Sequence, residues 1–228
     1  MEHTATLRTG TASPARAVVL KALLICGAIS SVLYVASDIL ASMSYPGYVY
    51  ADQMFSELLA LGSPVRQYMI PAMNVYNLLV IAFGVGVWLV AGSQRSLRVT
   101  GALVTIYGVL SAVGPYVPMH VRGTGTSLTD LLHVVCTVGL LLSMMGFVGV
   151  GALTNGKGFR NYSIATLLAI VVGGVIAGTQ GVRMSAGLTT PGFGLVERVN
   201  IYAMMLWVAV FAVTLLRGNR PVLSAEGR

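Results

Sequence analysis

The chain has 228 residues, of which 56% are hydrophobic and only 9% charged, with a formal net charge of +7. Soluble domains carry about 25% charged residues, so a chain this poor in charge cannot clothe a water-facing surface and its solvent is largely lipid. That excludes a soluble globular enzyme. It also removes the usual meaning of a basic balance, because no folded soluble part exists to present a basic face. Membrane lipids are the expected partners, and nucleic acid is not.

A bilayer span needs about 20 mostly apolar residues. Six segments qualify, at 17–41, 68–91, 99–117, 129–153, 162–181 and 196–216. The expected fold is all-α: a polytopic bundle of six transmembrane helices over residues 14–218, between a disordered tail at 1–13 and a short tail at 219–228. Lys21, near the start of the first span, can snorkel to the headgroups. Arg8, Arg16 and Lys21 also resemble the basic lead of a signal peptide, but the run is long and lacks a small-x-small cleavage site. Cys26 and Cys136 both lie inside apolar runs, so no disulfide is expected.

Orientation follows the lysines and arginines. One side receives ten of them: Arg8, Arg16, Lys21, Arg95, Arg98, Lys157, Arg160, Arg217, Arg220 and Arg228; the other receives Arg66, Arg122, Arg183 and Arg198. The ten-residue side is expected to be cytoplasmic, with both termini, in a multi-pass protein of the inner (plasma) membrane. Gly174 and Gly178 form a GxxxG pair, and Gly101, Gly108 and Gly114 lie in the third span. Such residues let helices approach closely, within the chain or between copies in a homo-oligomer.

Away from the tails, every carboxylate falls near the outer ends of the spans: Asp38, Asp52, Glu57, Asp130 and Glu197, with His120 and His133 beside them. Any recognition or chemistry is expected there. In the first outer loop, Asp52 as N-cap and Gly62 followed by Pro64 as stop bracket a short amphipathic helix. Met54, Phe55, Leu58 and Leu59 share one face; Gln53, Ser56, Glu57 and Ala60 share the other. This helix either lies on the membrane surface or forms a lid that aims Ser56 and Glu57 into the bundle. In the second loop, Ser127 and Asp130 have capping-box spacing. His133 lies one turn deeper on the same face, either as a functional group or as a satisfied structural contact. At the sixth span, Glu197 suits the first turn, and Arg198 can pair with a carboxylate of a neighbouring helix.

Several of these stretches together resemble a bacterial six-span membrane family, domain of unknown function nine-nine-eight (DUF998). They are Tyr45-Pro46-Gly47-Tyr48, Ser56-Glu57-Leu58 and Gly62-Ser63-Pro64, then Pro118-Met119-His120 with Asp130 and His133, and Gly194-Leu195-Val196-Glu197-Arg198 with Trp207. The resemblance implies the six-span fold and supplies no established activity.

Two functions compete. In the first, Ser56, Glu57, His120, Arg122, Asp130, His133, Glu197 and Arg198 form a polar cluster that closes the outer end or binds a lipid headgroup or small polar ligand, with no cofactor. In the second, His120, His133 and Glu57 hold zinc in an intramembrane hydrolase acting on a lipid ester or amide. A catalytic zinc set with only two histidines and no HExxH spacing is a poor match, and Ser56 lacks a GxSxG elbow.

Overall fold

The computed structural model describes residues 14–122, 127–186 and 188–218; the terminal segments expected to be tails lie outside the described residues. The chain forms α1 (Pro14–Ser44), α2 (Phe55–Leu58), α3 (Arg66–Val90), α4 (Arg95–Val113), α5 (Leu128–Gly151), α6 (Lys157–Ser185) and α7 (Phe193–Gly218), with a 3-10 turn at Gly114–Tyr116. Six of the helices are long and apolar enough to cross a membrane. They match the six segments read from the sequence, most running a few residues longer. The third falls short of its expected end, because Gly114 and Pro115 turn the chain out of the α-helix. The end where α1 stops and α3 begins carries the carboxylates and is called the polar end below; the opposite is the basic end.

Each long helix packs against the next in sequence, and α7 returns to pack against α1. Antiparallel neighbours joined by short loops therefore close into a ring. In lipid, helices gain nothing from hiding apolar surface; close packing and interhelical hydrogen bonds hold them. Gly84 and Gly101 supply the closest approach. A Cβ on Gly101 would stand 2.6 Å from the backbone nitrogen of Trp88, and one on Gly84 would stand 2.6 Å from that of Thr105. Ser31 Oγ donates to Met205 O at 2.8 Å between α1 and α7, and Trp207 Nε1 donates to Ser163 Oγ at 2.8 Å between α7 and α6.

The ring is filled in two ways. Towards the basic end an aromatic cluster of Phe147, Phe159, Trp207, Phe211 and Phe83 occupies the middle, with Trp207 and Phe211 centroids 4.7 Å apart. Towards the polar end the filler is the loop between α1 and α3. Its Met54, Phe55, Leu58 and Ala60 are all buried, and Phe55 stacks on Tyr34 with centroids 4.4 Å apart. Tyr34 lies ten residues before the end of α1, about 15 Å along the helix. The loop thus reaches down inside the ring as a plug.

This corrects the amphipathic surface helix. The helix in this loop is a single turn, four residues long, and Glu57 on its expected water face is 2% exposed. Asp52 does not cap it, because its carboxylate accepts instead from Gly192 N–H at 2.8 Å. Glu57 reaches back to Met54 N–H at 2.9 Å and starts the turn two residues later than expected. Gly62 ends the segment as anticipated, in a left-handed conformation (φ 95°) that favours glycine.

Gly101→Ala is expected to force α3 and α4 apart, at a cost of about 1–3 kcal/mol for overpacking against backbone. Thermal unfolding of the detergent-purified protein reads this as a lowered Tm; an unchanged Tm contradicts the packing described.

Candidate functional site at the polar end

Arg198 and Asp38 are buried charges, with side chains 3% and 0% exposed. Arg198 Nε donates to Asp38 Oδ2 and Nη2 to Oδ1, both at 2.9 Å, a bidentate pair between α7 and α1. Nη2 also donates to Tyr48 Oη at 2.7 Å. Nη1 serves the carbonyls of Tyr50 and Gln53, each at 2.8 Å, and of Gly194 at 3.2 Å. The guanidinium also lies over the Tyr50 ring, 3.7 Å from its centroid. Asp38 is completed by Tyr202 Oη at 2.6 Å and Ser42 Oγ at 3.2 Å. Such a pair repays its desolvation only when the remaining donors and acceptors are satisfied, as they are here. Two of the carbonyls it holds, those of Tyr50 and Gln53, belong to the plug, so the same guanidinium that joins α7 to α1 also pins the loop inside them. Burial pushes the Tyr48 hydroxyl above the usual phenol range, so it stays protonated and can donate to the carbonyls of Gln53 and Met54.

A second pair ties the loops together. Arg122 Nη2 meets Glu57 Oε1 at 2.7 Å, with Nε 2.9 Å from Oε2. The same guanidinium donates to Asp52 O at 2.8 Å and Thr190 Oγ1 at 2.6 Å. Arg122 therefore holds the plug, its own loop and the loop before α7 at once. Backbone bonds reinforce it: Leu61 N–H donates to Met119 O at 2.8 Å, and Leu195 N–H to Ala51 O at 3.0 Å. Among the described residues Ser56 enters through its carbonyl alone, which accepts from Leu59 N–H at 3.1 Å.

A third group surrounds Asp130. Its Oδ1 accepts from His120 N–H at 2.7 Å, its Oδ2 accepts from Ser127 N–H at 2.8 Å, and His120 Nδ1 lies 3.1 Å from Oδ2. The expected Ser127–Asp130 capping box is present. The serine, histidine and aspartate meet without forming a proton relay. A relay needs the acid and the hydroxyl on opposite ring nitrogens, whereas Ser127 Oγ lies 3.3 Å from the same Nδ1 that faces Asp130. His133 goes elsewhere, its Nδ1 2.8 Å from Val117 O. Of the three side chains read as a zinc set, then, His120 goes to Asp130, His133 to a backbone carbonyl and Glu57 to Arg122. Among the described residues no three His, Cys, Asp or Glu side chains are grouped to hold a metal ion.

Glu197 is the odd carboxylate. It lies on the α7 stripe of Phe193, Met204, Val208, Phe211 and Leu215, all buried, and so faces the middle of the ring. Yet it is only half-buried, and among the described residues it has no salt-bridge partner. One oxygen accepts from Phe55 N–H. Beside it, Tyr34 is 7% exposed and stacked on Phe55, and its hydroxyl makes no hydrogen bond among the described residues. Deeper still, Asn77 is 2% exposed with Oδ1 unpartnered. Tyr76, next to Asn77, meets the edge of the Tyr34 ring and stands 3.3 Å from the Tyr107 hydroxyl. A polar layer therefore lies between the plug and the aromatic floor.

Sequence reasoning placed Glu57 and Arg122, His120 and Asp130, and Glu197 and Arg198 in one region, and anticipated that Arg198 would pair with a carboxylate of a neighbouring helix. It left out Asp38, Tyr34, Tyr48, Asp52, Thr190 and Tyr202 as site residues. Asp38 carried a usable signal, being an ionisable residue inside an apolar run. The tyrosines carried none, since the same side chains serve as interfacial anchors.

The fold and this buried polar end define a multi-pass α-helical membrane protein. The chain belongs to the family described as Protein of unknown function (DUF998), whose model matches residues 28–214. No curated protein and no solved structure matches it.

Arg198→Met is expected to leave Asp38 buried without its cation and to cost about 3–5 kcal/mol, read as a large drop in Tm. The double variant Asp38→Leu with Arg198→Met should recover part of that loss. A single variant as stable as wild type contradicts the role assigned to the pair.

Proposed function

We propose that the protein is a multi-pass protein of the bacterial plasma membrane, with both termini cytoplasmic, that binds a lipid headgroup or small polar ligand in the polar half of its ring. The observation that carries this reading is Glu197. Burying a carboxylate is expensive unless it is paired. Asp38 and Glu57 meet arginines at 2.9 and 2.7 Å, while Glu197 faces the middle of the ring with, among the described residues, a single backbone donor. A positively charged group on a ligand would complete it, with the Tyr34 hydroxyl as a second contact. The reading calls for no cofactor, because the ligand itself supplies the charge that Glu197 lacks.

Native mass spectrometry of protein extracted from membranes in mild detergent tests this. A bound small molecule is expected on the wild type and about tenfold less of it on Glu197→Gln, which still accepts the Phe55 N–H and so keeps the fold. Identical spectra for the two proteins contradict the reading.

The orientation rests on the excess of arginine and lysine at the basic end. In a background lacking Cys26 and Cys136, a cysteine at Thr189 is expected to react with a membrane-impermeant reagent added outside intact cells. One at Ser93 should not; the opposite pattern overturns the topology.

A further inference from the structure

Glu197 lies directly under the plug. One of its oxygens accepts from Phe55 N–H. The Tyr34 ring beside it is stacked on Phe55 and met edge-on by Tyr76 of α3. The helix walls flanking Glu197 are joined. α7 is tied to α1 by Arg198 and Asp38 and, deeper, by Ser31 and Met205. It is tied to α6 where Asn200, one turn deeper than Glu197, packs onto Gly173. Nearer the polar end, Ala177 and Met184 of α6 pack against the buried Met54, Ala60, Met119 and Phe193. What separates Glu197 from the water at the polar end is therefore the plug.

The plug is not held evenly. Its first half is fixed by Arg198, whose side chain is 3% exposed and which takes the carbonyls of Tyr50 and Gln53. Its second half, from the Phe55–Leu58 turn to Leu61, is held by the pair of Glu57 with Arg122, whose side chain is 30% exposed, and by the bond from Leu61 N–H to Met119 O. When the outer pair opens, water can solvate Arg122; nothing can replace the partners of Arg198. The second half is thus the part that can lift, and lifting it removes Phe55 from both Glu197 and Tyr34.

Resting on the reading of Glu197 as a ligand-binding carboxylate, we propose that the ligand is a small water-soluble amine in its ammonium form. It reaches Glu197 from the aqueous phase at the polar end when the Phe55–Leu58 turn lifts away from Arg122, and the turn closes over it. A carboxylate without a cation selects positive charge. One carboxylate and one phenol hydroxyl fall well short of the about six to eight oxygens that a calcium ion takes, whereas an ammonium group needs only a few acceptors. A lipid whose head met Glu197 would have to thread its tail between helices that are joined.

Carbodiimide labelling of the Glu197 carboxylate in the full chain in nanodiscs, read by peptide mass spectrometry, tests the proposal. In a background lacking Cys26 and Cys136, Leu61→Cys with His120→Cys supplies a lock, because these residues are bridge partners and so lie within disulfide reach. A water-soluble carbodiimide should label Glu197 in the reduced protein, about tenfold less in the oxidised one, and fully again on reduction. Glu57→Gln, whose amide oxygen still accepts from Met54 N–H while its charge is lost, should label about tenfold faster at an unchanged Tm. Methylammonium chloride should suppress labelling of the reduced protein, and the same concentration of sodium chloride should not. The proposal is overturned by the absence of Glu197 labelling, by a lock without effect, by equal protection from the two salts, or by apolar dicyclohexylcarbodiimide labelling locked and reduced protein alike, which would mean entry from the bilayer. Protection by methylammonium with a lock that changes nothing refutes the gate and leaves ligand binding at Glu197 standing. A working lock without protection refutes the ammonium ligand itself.

Discussion

A buried guanidinium has five N–H groups to satisfy, and the polar half of this protein is arranged around the way Arg198 satisfies them. Two go to Asp38 on α1, which fixes the closure of the ring. The others go to the Tyr48 hydroxyl and to backbone carbonyls at Tyr50, Gln53 and Gly194. Gly194 lies on Arg198's own helix, but the Tyr48 hydroxyl and the carbonyls of Tyr50 and Gln53 are available only if the loop after α1 descends between the helices. Once it does, Phe55 lands on Tyr34, and Glu57 is carried to where Arg122 can close the loops over it. The plug is thus the consequence of one cation that must be solvated by protein where water is scarce.

Glu197 shows what that arrangement leaves over. It is the sequence neighbour of Arg198, but adjacent helical residues point about 100° apart, so the two cannot share partners. Arg198 turns to α1 and is saturated, while Glu197 turns to the middle of the ring and, among the described residues, is met by Phe55 N–H alone. On the proposed reading, structural closure and ligand capacity are carried by different residues: Asp38, Glu57, Arg122 and Arg198 hold the end together, and Glu197 with Tyr34 is left to bind.

Much of the architecture was legible in the sequence because lipid imposes a simple rule: a span is a long apolar run, and six such runs are present. The clustering of acids at one end was equally plain. The descent of the first outer loop was not. Its alternation of Met54, Phe55 and Leu58 with Ser56 and Glu57 leaves a surface helix and a lid over the bundle both open, because composition cannot show that a distant arginine will bury both faces. Asp52 illustrates the same point: it has the chemistry of an N-cap, yet its carboxylate serves Gly192 N–H, which lies 140 residues away in the chain. His120 and His133 looked like a pair from their spacing and proximity to one acid. They part because Asp130 is saturated by Ser127 and His120, which leaves His133 to the Val117 carbonyl. Local rules found the elements, and long-range hydrogen bonding decided their partners.

The most direct measurement is an experimental structure of the full chain in lipid nanodiscs prepared from native membranes. The account predicts density for a bound molecule inside the polar half of the ring, with a positively charged group at charge-assisted hydrogen-bond distance, about 2.7–2.9 Å, from the Glu197 carboxylate. An empty site with Glu197 paired to an arginine of the chain itself would contradict it.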